Sequence, residues 1–124
     1  MNPALPLIGR ILLTLLFFVA GYNKLMNVGG TAGYFGKVGL PMPDLTVWLV
    51  IAVELVGGLL ILIGWKTRVV AWIMAIFTVA TAVIGHKFWV DPSQATQFLK
   101  NLAIAGGFLM LAYAGPGKIS ADKG

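Results

Sequence analysis

The chain has 124 residues, of which 59% are hydrophobic and 10% charged, with a formal net charge of +5. A water-soluble domain carries about 25% charged residues, so this composition excludes an ordinary soluble fold and points to a bilayer as the main solvent. The chain contains no cysteine, which excludes disulfides, thiolate metal sites and thiol–disulfide exchange; any redox chemistry must belong to a bound cofactor.

No polar linker or composition shift divides the sequence, so residues 1–124 read as a single transmembrane domain. Four segments approach the ~20 mostly apolar residues that carry a helix across a membrane. The first runs from Leu5 to Met26. It follows Pro3 and contains Arg10, yet no basic segment precedes it and no small-residue cleavage site follows, so it reads as a span and not as a cleaved signal peptide. Arg10, Phe17 and Lys24 recur every seven residues. At about 100° per residue they stay within about 40° of one another, which places both cations on one face. Each cation is either a group turned toward a site or a long basic side chain whose head reaches the nearer interface.

Asn27 to Asp44, "NVGGTAGYFGKVGLPMPD", is glycine-rich, closed by two prolines and too apolar for a solvated loop. Tyr34, Phe35, Val38 and Leu40 can line one side of a short interfacial helix or re-entrant turn, where aromatic residues favour the headgroup level. Such a segment is a lid over one end of the bundle, either purely structural or gating a site.

The second span runs from Leu45 to Trp65 and carries one acid, Glu54, in the stretch "IAVELVGGLLILIGW". A carboxylate in hydrocarbon costs several kcal/mol unless it is paired, protonated or facing water, and the stem of glutamate is too short to reach the interface from the middle of a span. Glu54 is therefore expected either in a structural ion pair or as a proton acceptor beside an internal pocket, with Arg10 as the first partner named. Gly57 and Gly58 follow within one turn and allow a neighbouring backbone to come close.

The third span runs from Arg68 to Phe88 and the fourth from Thr96 to Ala114. Ala71 with Ala75, and Ala103 with Gly107, stand at small-xxx-small spacing and read as packing surfaces. His86 and Lys87 close the third span while Lys100 and Asn101 open the fourth, so antiparallel packing brings them to a similar depth with Tyr22, Asn23 and Lys24. His86 is either an interfacial hydrogen-bonding residue or a contact to a polar head such as a quinone carbonyl. With one histidine in the chain, a bis-histidine haem is not expected within one protomer, although a symmetric dimer supplies a pair. Zinc fares no better on dispersed carboxylates, and no metal is expected. No phosphate-binding loop, dinucleotide fingerprint or nucleophile elbow is present. The basic residues are scattered singly and form no stripe, which argues against nucleic acid as a partner. Trp48, Trp65, Trp72 and Trp89 fall near span ends, as an aromatic belt does. Lys66 and Arg68 in the second link, with Lys118 and Lys123 in the tail, outweigh Lys37 and Lys87 opposite, a modest bias, nearly balanced by Lys24 and Lys100 near that other face, that favours both termini in the cytoplasm.

Taken in order, "GRILLTLLFFVAGYNKL", "GTAGYFGKVGLPMP", "VELVGGLLILIGWKTR", "GHKFW" and "KNLAIAGGFLMLAYAGPGKISAD" resemble the DoxX-like family of small bacterial membrane proteins over almost the whole chain. The resemblance implies an all-α, integral membrane four-helix bundle in the bacterial inner membrane, with the short interfacial or re-entrant segment between helices one and two. It also implies association with respiratory or thiosulfate-oxidising electron transfer to quinone, and membership of membrane oxidoreductase complexes. By matching position, Arg10, Lys24, Glu54, Arg68, His86 and Asn101 are the polar residues it marks. Sulfur chemistry is not expected of this chain alone, which offers neither cysteine nor a metal set.

The resulting expectation is a small membrane subunit that binds quinone and works with a redox partner rather than catalysing alone. Glu54 takes the catalytic role of accepting or relaying a proton, Arg10 holds its charge, and Lys24, His86 and Asn101 complete the ligand-binding set. Expected partners are membrane lipid, redox or other subunits of a membrane complex, and a second copy of the chain in a homo-oligomer. Two rival expectations are a non-catalytic assembly subunit and a small-solute carrier.

Overall fold

The computed structural model describes residues 2–123, which form helices joined by short links, with no strand among them. Five helices follow in chain order: α1 (Ala4–Leu25), α2 (Val28–Lys37), α3 (Pro43–Ile63), α4 (Thr67–Gly85) and α5 (Ala95–Ala114), the last entered through a single 3₁₀ turn at Pro92–Gln94. The helices α1, α3, α4 and α5 are each long and apolar enough to cross a membrane, and α2 is the short segment expected between the first two. One boundary differs in a way that matters for function. The third span, α4, stops at Gly85, so His86 lies in the link and not on the helix.

Each long helix buries one stripe and leaves the rest apolar and open. On α1 the buried stripe is Arg10, Thr14, Phe17 and Gly21, the face that the sevenfold spacing of the cations picked out. Its other side presents Leu5, Ile8, Leu12, Leu15 and Val19. Apolar side chains left outside in this way have hydrocarbon as their solvent, so helix association rests on close packing and polar contacts more than on expulsion of water. The central packing joins Phe17 and Ile61 to Val70, Ala71, Met74 and Ala75 of α4 and to Ala105, Phe108 and Leu111 of α5. Ala71 and Ala75 are buried as the small-residue spacing required. The corresponding pair on α5 is corrected in part: Gly107 packs against Leu13 of α1, but Ala103 is exposed, and Ala105 takes its role because the buried face of α5 is set by Asn101, Phe108 and Ala112.

A second, smaller cluster places Ala32 and Phe35 of α2 on Val47 and Ile51 of α3. Asn27 caps α2 by accepting from the Gly30 N–H, one of the four donors a helix start leaves unpaired. Across the end of the bundle, the Tyr34 hydroxyl donates to the Gly85 carbonyl at 3.2 Å. The lid expected of the glycine-rich segment is thus a helix, anchored on α3 through Phe35 and reaching α4 through Tyr34.

Midway along α3, Val53–Gly57 winds as a π-helical turn, an irregularity found frequently at functional sites. Its buried member is Glu54.

The opposite end of the bundle is a set of mutual caps. Arg10, 1% exposed, donates to the carbonyls of Ile61, Leu62 and Ile119, so its charge meets the negative end of α3. The Arg68 guanidinium does the same for α5 by donating to Ala112 and Tyr113. Gly64 ends α3 at φ +72°, and a Cβ there would lie 2.4 Å from Ser120 Cβ, so a side chain is excluded by both conformation and space. The tail then runs back beneath the α3–α4 link, where Ala121 and Asp122 N–H groups donate to Ile63 and Gly64. Asp122 accepts from the Lys66 N–H at 2.9 Å and from the Thr67 N–H and hydroxyl at 2.8 and 2.7 Å. A residue 55 positions away in the chain therefore caps the start of α4.

The Thr67 donors hold the Asp122 carboxyl below its ordinary value. A carboxyl depressed on folding contributes stability that is complete above its unfolded value of about 3.9 and fades as pH falls through the folded one. Hydrogen exchange at the Lys66 and Thr67 amides is expected to stay slow down to about pH 4 and to quicken below it, whereas Asp122→Asn is expected to remove that pH dependence. Equal pH profiles for the two proteins would contradict the cap.

Candidate functional site

At the α2 end, a cavity of about 460 Å³ opens between α1, α3, α4 and α5 beneath the lid. Most of its wall is apolar, including Leu16, Phe17, Phe77, Ile84 and Ile104, and its polar members are Lys24, Tyr34, Thr46, Glu54, Thr78, Thr81, His86, Lys100 and Asn101. Four of the five site residues expected from sequence therefore share one cavity. Arg10 does not join them.

Glu54 is 6% exposed, and its partner is Lys24, with Nζ 3.0 Å from Oε1 and 3.4 Å from Oε2. The shorter contact lies off donor geometry: the hydrogen bond goes to Oε2, and the buried Oε1 receives none. This overturns the expected pairing with Arg10. The two helices run antiparallel, and Glu54 sits beside Gly21, where a Cβ would come within 3.3 Å of the Glu54 Cβ and 2.7 Å of Leu55 Cδ2. Lys24 is less than one turn beyond Gly21, whereas Arg10 is eleven residues back, about 16 Å along the helix at 1.5 Å per residue. Spacing on α1 correctly put both cations on one face. It carried no information on which of them stands level with position 54. Lys24 also does not turn its head outward to the interface; it points inward to the acid, which leaves its side chain 25% exposed.

Asn101 enters from the second turn of α5, is 7% exposed, and directs its amide nitrogen to the Thr78 carbonyl at 3.2 Å and the Thr81 hydroxyl at 3.1 Å. In turn the Thr78 and Thr81 hydroxyls bond back to the Met74 and Thr78 carbonyls of their own helix, a local habit of threonine in helices. His86, partly buried, is oriented by Gln94, with Nδ1 2.8 Å from Oε1. The link that bears both is fastened to α5 by an edge-on aromatic group of Phe88, Trp89 and Phe98.

Sequence reading missed Gln94, Thr78 and Thr81. Gln94 stands in a link with no periodicity to assign it a face, and threonine in an apolar helix reads equally well as packing. Thr78 shares a face with buried Ala71, Met74 and Ala82, which is the signal that was available.

The DoxX family model matches residues 5–87, a range that holds Lys24, Glu54 and His86 and stops short of Asn101. Inner membrane protein YphA of Escherichia coli (strain K12) is 41% identical over 128 aligned positions, covering 98% of this chain and 91% of its own length. Inner membrane protein YqjF of the same organism is 42% identical over 117, covering 94% and 88%. CatD of Bacillus subtilis (strain 168), a proposed oxidoreductase by name, is 36% identical over 78, covering 63% and 56%. No solved structure matches the chain. With the family model running from the first turn of α1 past the end of α4, and with relatives aligned over nearly the whole of both chains, this four-span membrane protein belongs to the DoxX family.

Proposed function

We propose that this protein is a small integral membrane subunit of a quinone-linked redox complex, and that its cavity receives the ring of a quinone or a similar amphipathic ring compound. The observation that carries this reading is the convergence of Lys24, Glu54, His86 and Asn101 on one otherwise apolar cavity of about 460 Å³. That volume lies inside the ~300–1,000 Å³ typical of small-molecule sites, which pair an apolar wall with a few polar groups that fix orientation. The residues fit such a ring compound, with apolar walls for the ring and tail and polar groups gathered toward the lid for the head. Glu54 accepts a proton at its carboxylate, Lys24 balances the charge, and His86 and Asn101 orient the head. A quinone, when bound, supplies the electron-carrying chemistry that this cysteine-free chain lacks. The oxidoreductase name of CatD supports the class of reaction.

The test is mass spectrometry of protein purified gently in native lipids, recording bound quinone and stoichiometric partners together, alongside Glu54→Gln. Bound quinone with a redox partner is the expected result, with turnover of the complex lost in the variant. A partner without quinone favours an assembly subunit, and a Glu54→Gln protein with full quinone binding and turnover removes the proton role.

The chain ends and the α3–α4 link lie at the end of the bundle opposite the cavity. We infer that this end faces the cytoplasm, because Lys66, Arg68, Lys118 and Lys123 outnumber Lys37, Lys87 and Lys100 at the cavity end once Lys24 is paired with Glu54. Because the chain has no cysteine, a single Ala121→Cys variant reports cleanly: it is expected to resist membrane-impermeant thiol reagents in intact cells, and labelling from outside reverses the assignment.

A further inference from the structure

The hydrogen-bonding inventory of the cavity is lopsided. Its hydroxyl donors are already committed within the protein: Tyr34 to Gly85 at 3.2 Å, Thr46 to Pro41 at 2.7 Å, Thr78 to Met74 at 2.6 Å and Thr81 to Thr78 at 2.9 Å. The two ammonium groups are partly engaged, Lys100 with Gln97 at 2.6 Å and Lys24 with Glu54, and each keeps further N–H bonds. Apart from those two ammonium groups, what remains open are acceptors. Both amide hydrogens of Asn101 are committed to α4, which leaves Oδ1 without a donor among the described residues. An amide oxygen only accepts, so the Gln94 contact puts the hydrogen of His86 on Nδ1 and leaves Nε2 with a lone pair in the neutral ring. Glu54 is an acceptor with several lone-pair sites; Lys24 fills one on Oε2 by a hydrogen bond, and Oε1 is closed off beside the same ammonium, so the sites left for a ligand are the remaining ones on Oε2.

We infer that the cavity selects a donor-bearing head, the hydroxyl form of the ring compound, over its carbonyl form: the quinol rather than the quinone. This rests on the proposed ring-binding reading and adds the redox form to it. A quinol brings two O–H donors to the acceptors of Asn101, His86 and Glu54, while a quinone brings only acceptors and finds spare N–H bonds only on the two ammonium groups, Lys24 and Lys100. The side chains that discriminate are Glu54, Asn101 and His86, and each acts by accepting a hydrogen bond.

The test is direct binding to the purified protein in lipid nanodiscs under anaerobic conditions, with a short-tailed benzoquinol, its benzoquinone and its dimethyl ether as probes. The ether keeps the shape of the quinol and loses both donors. Quinol is expected to bind about tenfold or more tightly than either, the effect of one hydrogen bond to a charged acceptor. Glu54→Gln places an amide donor in the wall and is expected to narrow the ratio by raising affinity for the quinone, a gain that an unfolded variant cannot mimic. Quinone or ether binding as tightly as quinol overturns the selection while leaving the ring site standing. Binding of none of the three overturns both.

Discussion

Lys24→Met is expected to destabilise the protein by about 3 kcal/mol, because it strands a carboxylate that is 6% exposed without its one countercharge; removing a single partner of a buried pair costs about 3–5 kcal/mol. Glu54→Gln is expected to cost less. It leaves a neutral amide in place of the acid, and the Lys24 side chain, already 25% exposed, can turn its head toward the interface. The double variant Lys24→Met/Glu54→Gln is expected to recover most of the loss. Unfolding titrations of the four proteins in one detergent measure this cycle. Additive losses would mean that the two residues do not act as a pair, and the cavity would lose its charged anchor.

The second large effect belongs to Arg10. Arg10→Leu removes the donor for three carbonyls at once, and each stranded carbonyl costs about 1–3 kcal/mol. Failure to accumulate as folded protein is the expected outcome. Arg10→Lys keeps the charge but not the planar fork that spans two chain segments, so it is expected to leave the bundle folded and to free the tail, seen as faster proteolysis after Ala114. Ligand affinity is expected to be unchanged, since Arg10 lies outside the cavity wall. Reduced affinity in a folded Arg10→Lys protein would return Arg10 to the site.

The spans were legible because lipid exposure demands long apolar runs, and their order was legible because each polar landmark sits at a distinct place along the chain. Glu54, Lys24, His86 and Asn101 could be singled out for the same reason: in a chain so poor in polar groups, each one needs an explanation. Pairing was harder. Choosing between Arg10 and Lys24 for Glu54 required the vertical offset of α1 against α3, which is fixed by Gly21 closing on Leu55 and by the tail clasping the α3–α4 link. Neither contact leaves a periodic trace. The capping roles of Arg68 and Asp122 were hidden likewise, since a side chain that binds the carbonyls or amides of a distant helix end has no partner residue type to betray it.

The wide turn at Val53–Gly57 bears on how α3 can serve two neighbours. Val47, Ile51, Glu54, Gly58 and Ile61 are buried at alternating steps of four and three, and uniform winding would aim them all in one direction. Yet Val47 and Ile51 pack under the lid, while Ile61 joins the central cluster. One extra residue in a single turn re-phases the helix, so its two halves keep the same pattern and meet different partners. Winding all five residues regularly would rotate the lower half by about 100°, carrying the Ile61 and Leu62 carbonyls away from Arg10, whereas removing one of them would restore ordinary winding and leave the lower half aimed as it is. That stretch is therefore where α3 can lose one residue with the least disturbance to its partners on either side.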